Sequence, residues 1–209
     1  MRGIKMLHAK DYRRQAWEKL RGKWGTAALA TLVQSLILGA CAALSYVYVG
    51  GVALFLITGP LALGYTVLAL HVIRAKEARV ENLFSGFRNF GAAFLVNLIN
   101  GIFIFLWSLL LFIPGIIKTY SYRMSYYVLA DNPEISANEA RKRSMQIMRG
   151  NKWRLFCLDF SFIGWWLLTV LTLGILSFWI QPYKESACAA FYSRLIAAET
   201  EEVAAEVTV

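Results

Sequence analysis

Residues 24–73 read WGTAALATLVQSLILGACAALSYVYVGGVALFLITGPLALGYTVLALHVI, fifty residues without one Asp, Glu, Lys or Arg. A helix that crosses a bilayer needs about 20 apolar residues, so this stretch alone holds two crossings. Further out, 29 residues between Arg88 and Lys118 and 24 between Asp159 and Lys184 are also free of charge. Only 17% of the 209 residues are charged and 58% are hydrophobic, against roughly 25% charged in a soluble domain. That composition excludes intrinsic disorder, which needs low hydrophobicity, and points to an integral membrane protein. The expected fold is all-α, a polytopic transmembrane helical bundle.

The spans read as 25–46, 59–73, 91–113, 115–130, 155–173 and 178–197. Pro114-Gly115 is a helix-breaking pair that ends the third, and the fifth ends near Gly174. Segments 115–130 and 178–197 contain charge, so the distribution of Lys and Arg decides between four crossings and six. Four would place eight basic residues of 118–154 opposite the eight in 1–24. Six puts 1–24, 74–91 and 131–153, with eight, four and five Lys/Arg, on one side, and leaves the outer turns with none. Six spans as three helical hairpins, both termini cytoplasmic, is the expectation. Residues 1–24 then form a basic amphipathic segment, and 198–209 an acidic, mobile tail.

This topology leaves Lys118, Arg123, Asp159, Lys184 and Glu185 inside the membrane, each worth about 2.5–3.5 kcal/mol if unpaired. At about 1.5 Å per residue, Arg123 lies roughly 12 Å below its outer turn and Glu185 roughly 10 Å below its own. Asp159 and Arg194 both lie roughly 5–6 Å from the inner surface by the same rise. These depths predict two interhelical pairs, Arg123–Glu185 and Asp159–Arg194. Lys118 and Lys184 are expected to snorkel outward.

Before each odd-numbered span sits a basic, aromatic entry containing glycine: Gly22, Gly86 and Gly150, 64 residues apart each time. Each entry is followed by an apolar span, a Gly/Pro turn and a Tyr-containing return helix. That order suggests three units in tandem.

Ser136 and Glu139 make a capping box after Pro133 and mark the start of a basic helix. Its Arg141, Lys142, Arg143 and Arg149, with Lys152 beyond, are candidates for contact with anionic headgroups on the cytoplasmic face. Lipid, a protein partner or a second copy are the expected partners. Nucleic acid is not, because the basic patches adjoin membrane spans. Asn97 and Asn100 share one face of the third span, and Gln34 and Ser35 do the same in the first. They suit interhelical hydrogen bonding or a polar lining. Trp17, Trp24 and Trp153 mark the inner boundary, and Tyr46, Tyr48 and Trp179 the outer one. Trp165-Trp166 lie between and suit packing.

No chemistry-bearing motif emerges. Cys41, Cys157 and Cys188 lie far apart without metal spacing, and suit apolar packing. Leu38-Gly39-Ala40-Cys41 is not a lipoprotein box, because its leader is too long and the apolar run continues past it. Neither His8 nor His71 has a partner at ligand spacing, and no nucleophile elbow, phosphate loop or dinucleotide fingerprint occurs. Catalytic residues, cofactors and metals are expected to be none.

The run Trp107–Lys118 (WSLLLFIPGIIK) is similar to one in a family of bacterial integral membrane proteins known only as a domain of unknown function. So are Tyr127–Pro133, Ser136–Ala140, Gly150–Trp153, Ser161–Trp165, Thr172–Ile175, Pro182-Tyr183 and Ala190–Tyr192. The resemblance covers Asn82–Leu195 closely, and upstream the basic entry with Thr58-Gly59-Pro60. It implies a multi-pass protein of the bacterial cytoplasmic membrane, typical of Gram-positive bacteria, and supplies no catalytic residues. More distantly, the layout resembles the membrane domain of some glycerophosphodiester phosphodiesterases.

The leading functional expectation is a non-enzymatic protein that organises lipid or partners through its basic helices. The alternative is a small permease with a path lined by Asn97, Asn100, Arg123, Asp159 and Glu185. An enzyme acting on lipid headgroups stands third. A permease predicts a polar cavity reaching those residues, and the organising role predicts that they are paired and dry.

Overall fold

The computed structural model describes residues 7–44, 49–110 and 112–207, and among them every regular element is helical. The order is α1 (Ala9–Leu20), α2 (Trp24–Leu44), α3 (Val49–Ile73), a 3-10 helix (Val80–Asn89), α4 (Phe90–Leu110) and α5 (Phe112–Tyr122). It continues with α6 (Ser125–Asp131), α7 (Ala137–Ile147), α8 (Lys152–Phe160), α9 (Ile163–Leu171) and α10 (Ser177–Val207). Four stretches are long and apolar enough to cross a membrane: Trp24–Ala43, Leu54–Ile73, Val80–Ser108 and Lys152–Leu171. Segments 115–130 and 178–197 are not among these four.

Two expected single helices are broken. Segment 115–130 divides at Arg123-Met124 into α5 and α6, and 155–173 divides at Ser161-Phe162 into α8 and α9. The acidic end also differs from the mobile tail expected of 198–209. Helix α10 runs on through Val207, and Glu199 on it accepts from Arg143 at 2.7 Å. Tyr46 and Tyr48 lie outside the described residues.

The core sits where α3, α6 and α10 pack together. Leu68, Ala69, Val128, Leu129, Ala190 and Phe191 are buried there, and the Tyr127 and Tyr192 rings meet at 5.3 Å. The amphipathic segments pack against these three helices: the 3-10 helix lies on α3, α7 on α6, and α1 on α10. Tyr12 of α1 meets Phe191 at 5.2 Å and Trp17 meets Tyr183 at 5.6 Å, so α1 runs antiparallel to α10.

Segment 74–91 is not a free cytoplasmic link. A Cβ on Gly64 would fall 1.8 Å from the Leu83 carbonyl oxygen, and one on Gly86 2.0 Å from that of Pro60. The 3-10 helix therefore touches the middle of α3 backbone to backbone. A 3-10 helix eclipses residues three apart, which stacks Phe84, Phe87 and Phe90 into one exposed ladder that continues to Phe94.

The entries into α2 and α8 share one geometry at a separation of 128 residues. The His8 amide donates to the Asp11 carboxylate, and the Ser136 amide to Glu139. At the other end Lys23 donates to the Leu20 carbonyl and Asn151 to that of Met148, at 2.8 and 3.2 Å. Gly22 and Gly150 both take a positive φ, +80° and +76°. Buried positions pair in the same way: Tyr12 with Ala140, Ala16 with Ser144, Leu20 with Met148, Ala27 with Leu155 and Ala30 with Leu158.

The periphery is apolar. Helix α9 has no buried residue, and Trp166, Leu167, Val170 and Leu171 are all exposed. Water does not tolerate so large an unbroken apolar face, and hydrocarbon does. Trp166, expected to pack, is among the exposed side chains.

Candidate functional site

The break between α5 and α6 sets Arg123 against α10. Its Nη2 donates to Glu185 Oε1 at 3.3 Å, and Tyr127 Oη of α6 donates to Oε2 of the same carboxylate at 3.0 Å. The expected Arg123–Glu185 pair is therefore present, with a tyrosine added. The expected Asp159–Arg194 pair is not. Asp159 Oδ1 lies 3.2 Å from Lys184 Nζ, ten residues and about 15 Å up α10 from Arg194. A depth count along each helix does not fix which part of α10 faces α8, and the C-terminal end of α8 meets α10 at Lys184. Arg194 instead lies near Tyr12 of α1. Lys184 turns inward to this pair rather than snorkelling, while Lys118 Nζ rests 4.9 Å from the Trp107 ring centre.

Two cations and two carboxylates thus meet along one side of α10, with no net charge. All four side chains keep partial exposure, from 21% to 37%, and three of them, Arg123, Lys184 and Glu185, line a cavity. This cavity of about 290 Å³ is lined by the polar Thr169, Ser177, Gln181, Lys184, Glu185 and Arg123 together with Trp166 and Ile180. From Ser177 at the head of α10 to Glu185 is about 12 Å of helix. Arg123 also lines a second cavity of about 230 Å³, with Asn97, Asn100, Thr119 and Tyr126. Tyr126 donates to Asn97 Oδ1 at 3.2 Å. Asn100 is only 8% exposed, and its Oδ1 is buried without a hydrogen-bond partner, which costs about 1–3 kcal/mol.

The basic helix α7 begins as its capping box dictates, with Ser136 Oγ accepting from the Glu139 amide and the Glu139 carboxylate accepting from the Ser136 amide. The Ser136 amide first, then its hydroxyl, holds the Glu139 carboxyl below the usual glutamate range. Its cations divide. Arg141 turns into the protein, 4.2 Å from the Phe103 ring centre and 5.5 Å from that of Tyr122, and Arg143 pairs with Glu199. Lys142 and Arg149 remain exposed, Lys152 is half-buried and Trp153 is exposed.

Tyr127, Ser177 and Gln181 were not anticipated from sequence. Tyr127 carries no local signal. Ser177 and Gln181 do: with Lys184 they recur at helical spacing as a polar stripe on α10. A further group ties the end of α3 to α6 and α10. Arg74 donates twice to Asp131, at 2.6 and 2.7 Å, and Tyr192 donates to the same carboxylate at 3.1 Å.

The described residues form helices only, and four stretches are long and apolar enough to cross a membrane, as expected of an integral membrane protein. The chain belongs to the family described as "Protein of unknown function (DUF975)", matched over residues 6–121 and 109–199. No curated protein and no solved structure matches it.

Proposed function

We propose that this is a six-span protein of the bacterial cytoplasmic membrane that binds and passes a small polar solute and catalyses no covalent reaction. The observation that carries this reading is the cavity running from Ser177 to the Arg123–Glu185 pair. Paired charges that serve packing alone have no use for a polar vestibule, whereas a solute path does. The ion pairs then form the barrier at the deep end of this cavity. Three tandem hairpins with their basic entries inside agree with the charge distribution and with the matched geometry around Gly22 and Gly150.

Cysteine reactivity tests the cavity. With the three native cysteines replaced, Ser177→Cys and Gln181→Cys react with a small membrane-impermeant thiosulfonate in right-side-out vesicles. Leu167→Cys, on the apolar face, does not. An inert Gln181→Cys would remove the basis of the proposal. In the same vesicles Ile175→Cys labels from outside and Lys142→Cys only after permeabilisation, if the six-span topology is right.

A second reading keeps the basic surface central: the protein organises anionic lipid, a protein partner or a second copy of itself. Exposed Lys142 and Arg149 beside exposed Trp153 favour it, because cation and indole together suit a headgroup layer. Dependence of the phenotype on Lys142 and Arg149, with none on Gln181 or Glu185, would support this reading over solute passage.

A further inference from the structure

If a solute passes through the two cavities that share Arg123, their walls decide its charge. Each cavity is lined by one cation whose carboxylate partner stands outside the lining. Arg123 lines the cavity of about 230 Å³, and Glu185 does not. The cavity of about 290 Å³ has Arg123 and Glu185 together on its wall, where they offset one another, and Lys184 besides. Lys184 Nζ lies 3.2 Å from Asp159 Oδ1, but Asp159 lines neither cavity. The four charges sum to zero, yet each pair is a dipole. In each cavity the cation is the end nearer the space a solute would fill.

The hydrogen-bonding groups of the smaller cavity agree. Tyr126 donates to Asn97 Oδ1, and Asn100 Oδ1 is buried, so these two amides have mainly N–H left to offer. Arg123 spends one N–H on Glu185 and leaves its remaining donors unpaired among the described residues. The Tyr126 and Thr119 hydroxyls have spent their hydrogens, on Asn97 and on the Gly115 carbonyl, and can only accept. Their dipoles oppose an anion, and the full charge of Arg123 outweighs them.

Resting on the solute-path reading, we infer that the solute is a small monovalent anion, met by Lys184 in one cavity and by Arg123 in the other. One cation without its partner on each wall sets the charge, and volumes of about 290 and 230 Å³ limit the size. A cation of the same size would meet like charge on either wall, in surroundings of low dielectric where that repulsion is strongest.

The sign of the field can be read before the solute is known. In the full chain with its native cysteines replaced, Gln181→Cys is reacted in right-side-out vesicles with an anionic and with a cationic methanethiosulfonate. The ratio of the two rates is divided by the same ratio at Ile175→Cys, two residues before α10. Thiol ionisation and the intrinsic reactivity of the reagents cancel in this quotient. A quotient of about ten in favour of the anionic reagent is expected, the low end of what a cleft of one sign confers. Lys184→Gln brings it close to one, and Glu185→Gln, which bares Arg123, raises it severalfold. Acetate slows the labelling of Gln181→Cys at constant ionic strength, and acetamide, its neutral isostere, does not. A quotient of one or below overturns the anion assignment, and that comparison alters no charge in the protein. A quotient that Lys184→Gln leaves unchanged, no protection by acetate, or equal protection by acetamide also overturns it. These results leave the solute path standing, whereas a Gln181→Cys inert to both reagents removes the path and the anion together.

Discussion

The junctions at Gly22 and Gly150 and the junction at Gly86 look alike in sequence, each a glycine among basic and aromatic residues. At Gly22 and Gly150 the residue takes a left-handed conformation and a Cβ would meet nothing within 4 Å. Glycine is there for its backbone freedom. At Gly86 the backbone is ordinary and the side chain is excluded by the Pro60 carbonyl. Glycine is there for lack of volume. The same residue at the same interval thus answers two physical demands, and the middle entry has moved from a free amphipathic helix to a 3-10 helix pressed on α3. Recurrence of a residue is therefore weaker evidence of a repeat than recurrence of its hydrogen bonds.

The sharpest test of this contrast is Gly86→Ala. Its Cβ would lie 2.0 Å from one backbone oxygen and 2.8 Å from the Gly64 nitrogen, neither of which is the end of a flexible side chain. A loss above about 4 kcal/mol is expected, in the range reserved for overpacking against fixed structure. It reads out as disappearance of the monodisperse peak in detergent gel filtration.

Next in size is Arg123→Leu, which asks whether α5–α6 and α10 are held together by charge. It leaves the Glu185 carboxylate with Tyr127 as its remaining donor, and about 2–3 kcal/mol should be lost, less than for a fully buried pair. Glu185→Gln should lose less, and thermal unfolding in detergent ranks the two.

Gly22→Ala and Gly150→Ala should each cost about 1 kcal/mol, the price of a side chain in the left-handed region. Their equality is the informative result, and a Gly22→Ala as damaging as Gly86→Ala would end the contrast. Ser136→Ala should cost about 1 kcal/mol by losing a helix cap. His8→Ala should cost less, since the His8 side chain makes no cap hydrogen bond.

The smallest effect is a pH dependence at the start of α7. The Glu139 carboxyl titrates below the ordinary glutamate value because its charged form is hydrogen-bonded in the folded state. Its contribution is complete above the unfolded value, near pH 4.3, and fades as pH falls through the lower folded value. Amide exchange at Glu139 and Ala140 should accelerate there, while α1 amides at Asp11 and Tyr12 provide the comparison.

Local rules were sufficient where one element decides the outcome. The capping box at Ser136–Glu139 needs three residues, and the apolar spans need only charge-free length. Even Arg123–Glu185 was legible, because each residue is a lone charge of opposite sign at similar depth. Asp159 was misassigned because depth along its own span does not tell which turn of α10 that span packs against. Arg141 was read as lipid-facing for want of any sign that Phe103 and Tyr122 would come beneath it.

What the sequence by itself determined is therefore the helical class, four of the apolar spans and one of the two ion pairs. All follow from composition and spacing along the chain. Only the tertiary structure decided which cation Asp159 meets, that the 3-10 helix lies on α3, and that Tyr127 and Gln181 share a site with Arg123. Those depend on helix breaks and on contacts between segments far apart in the chain, where a shift of one turn, about 5.4 Å, exchanges one partner for another.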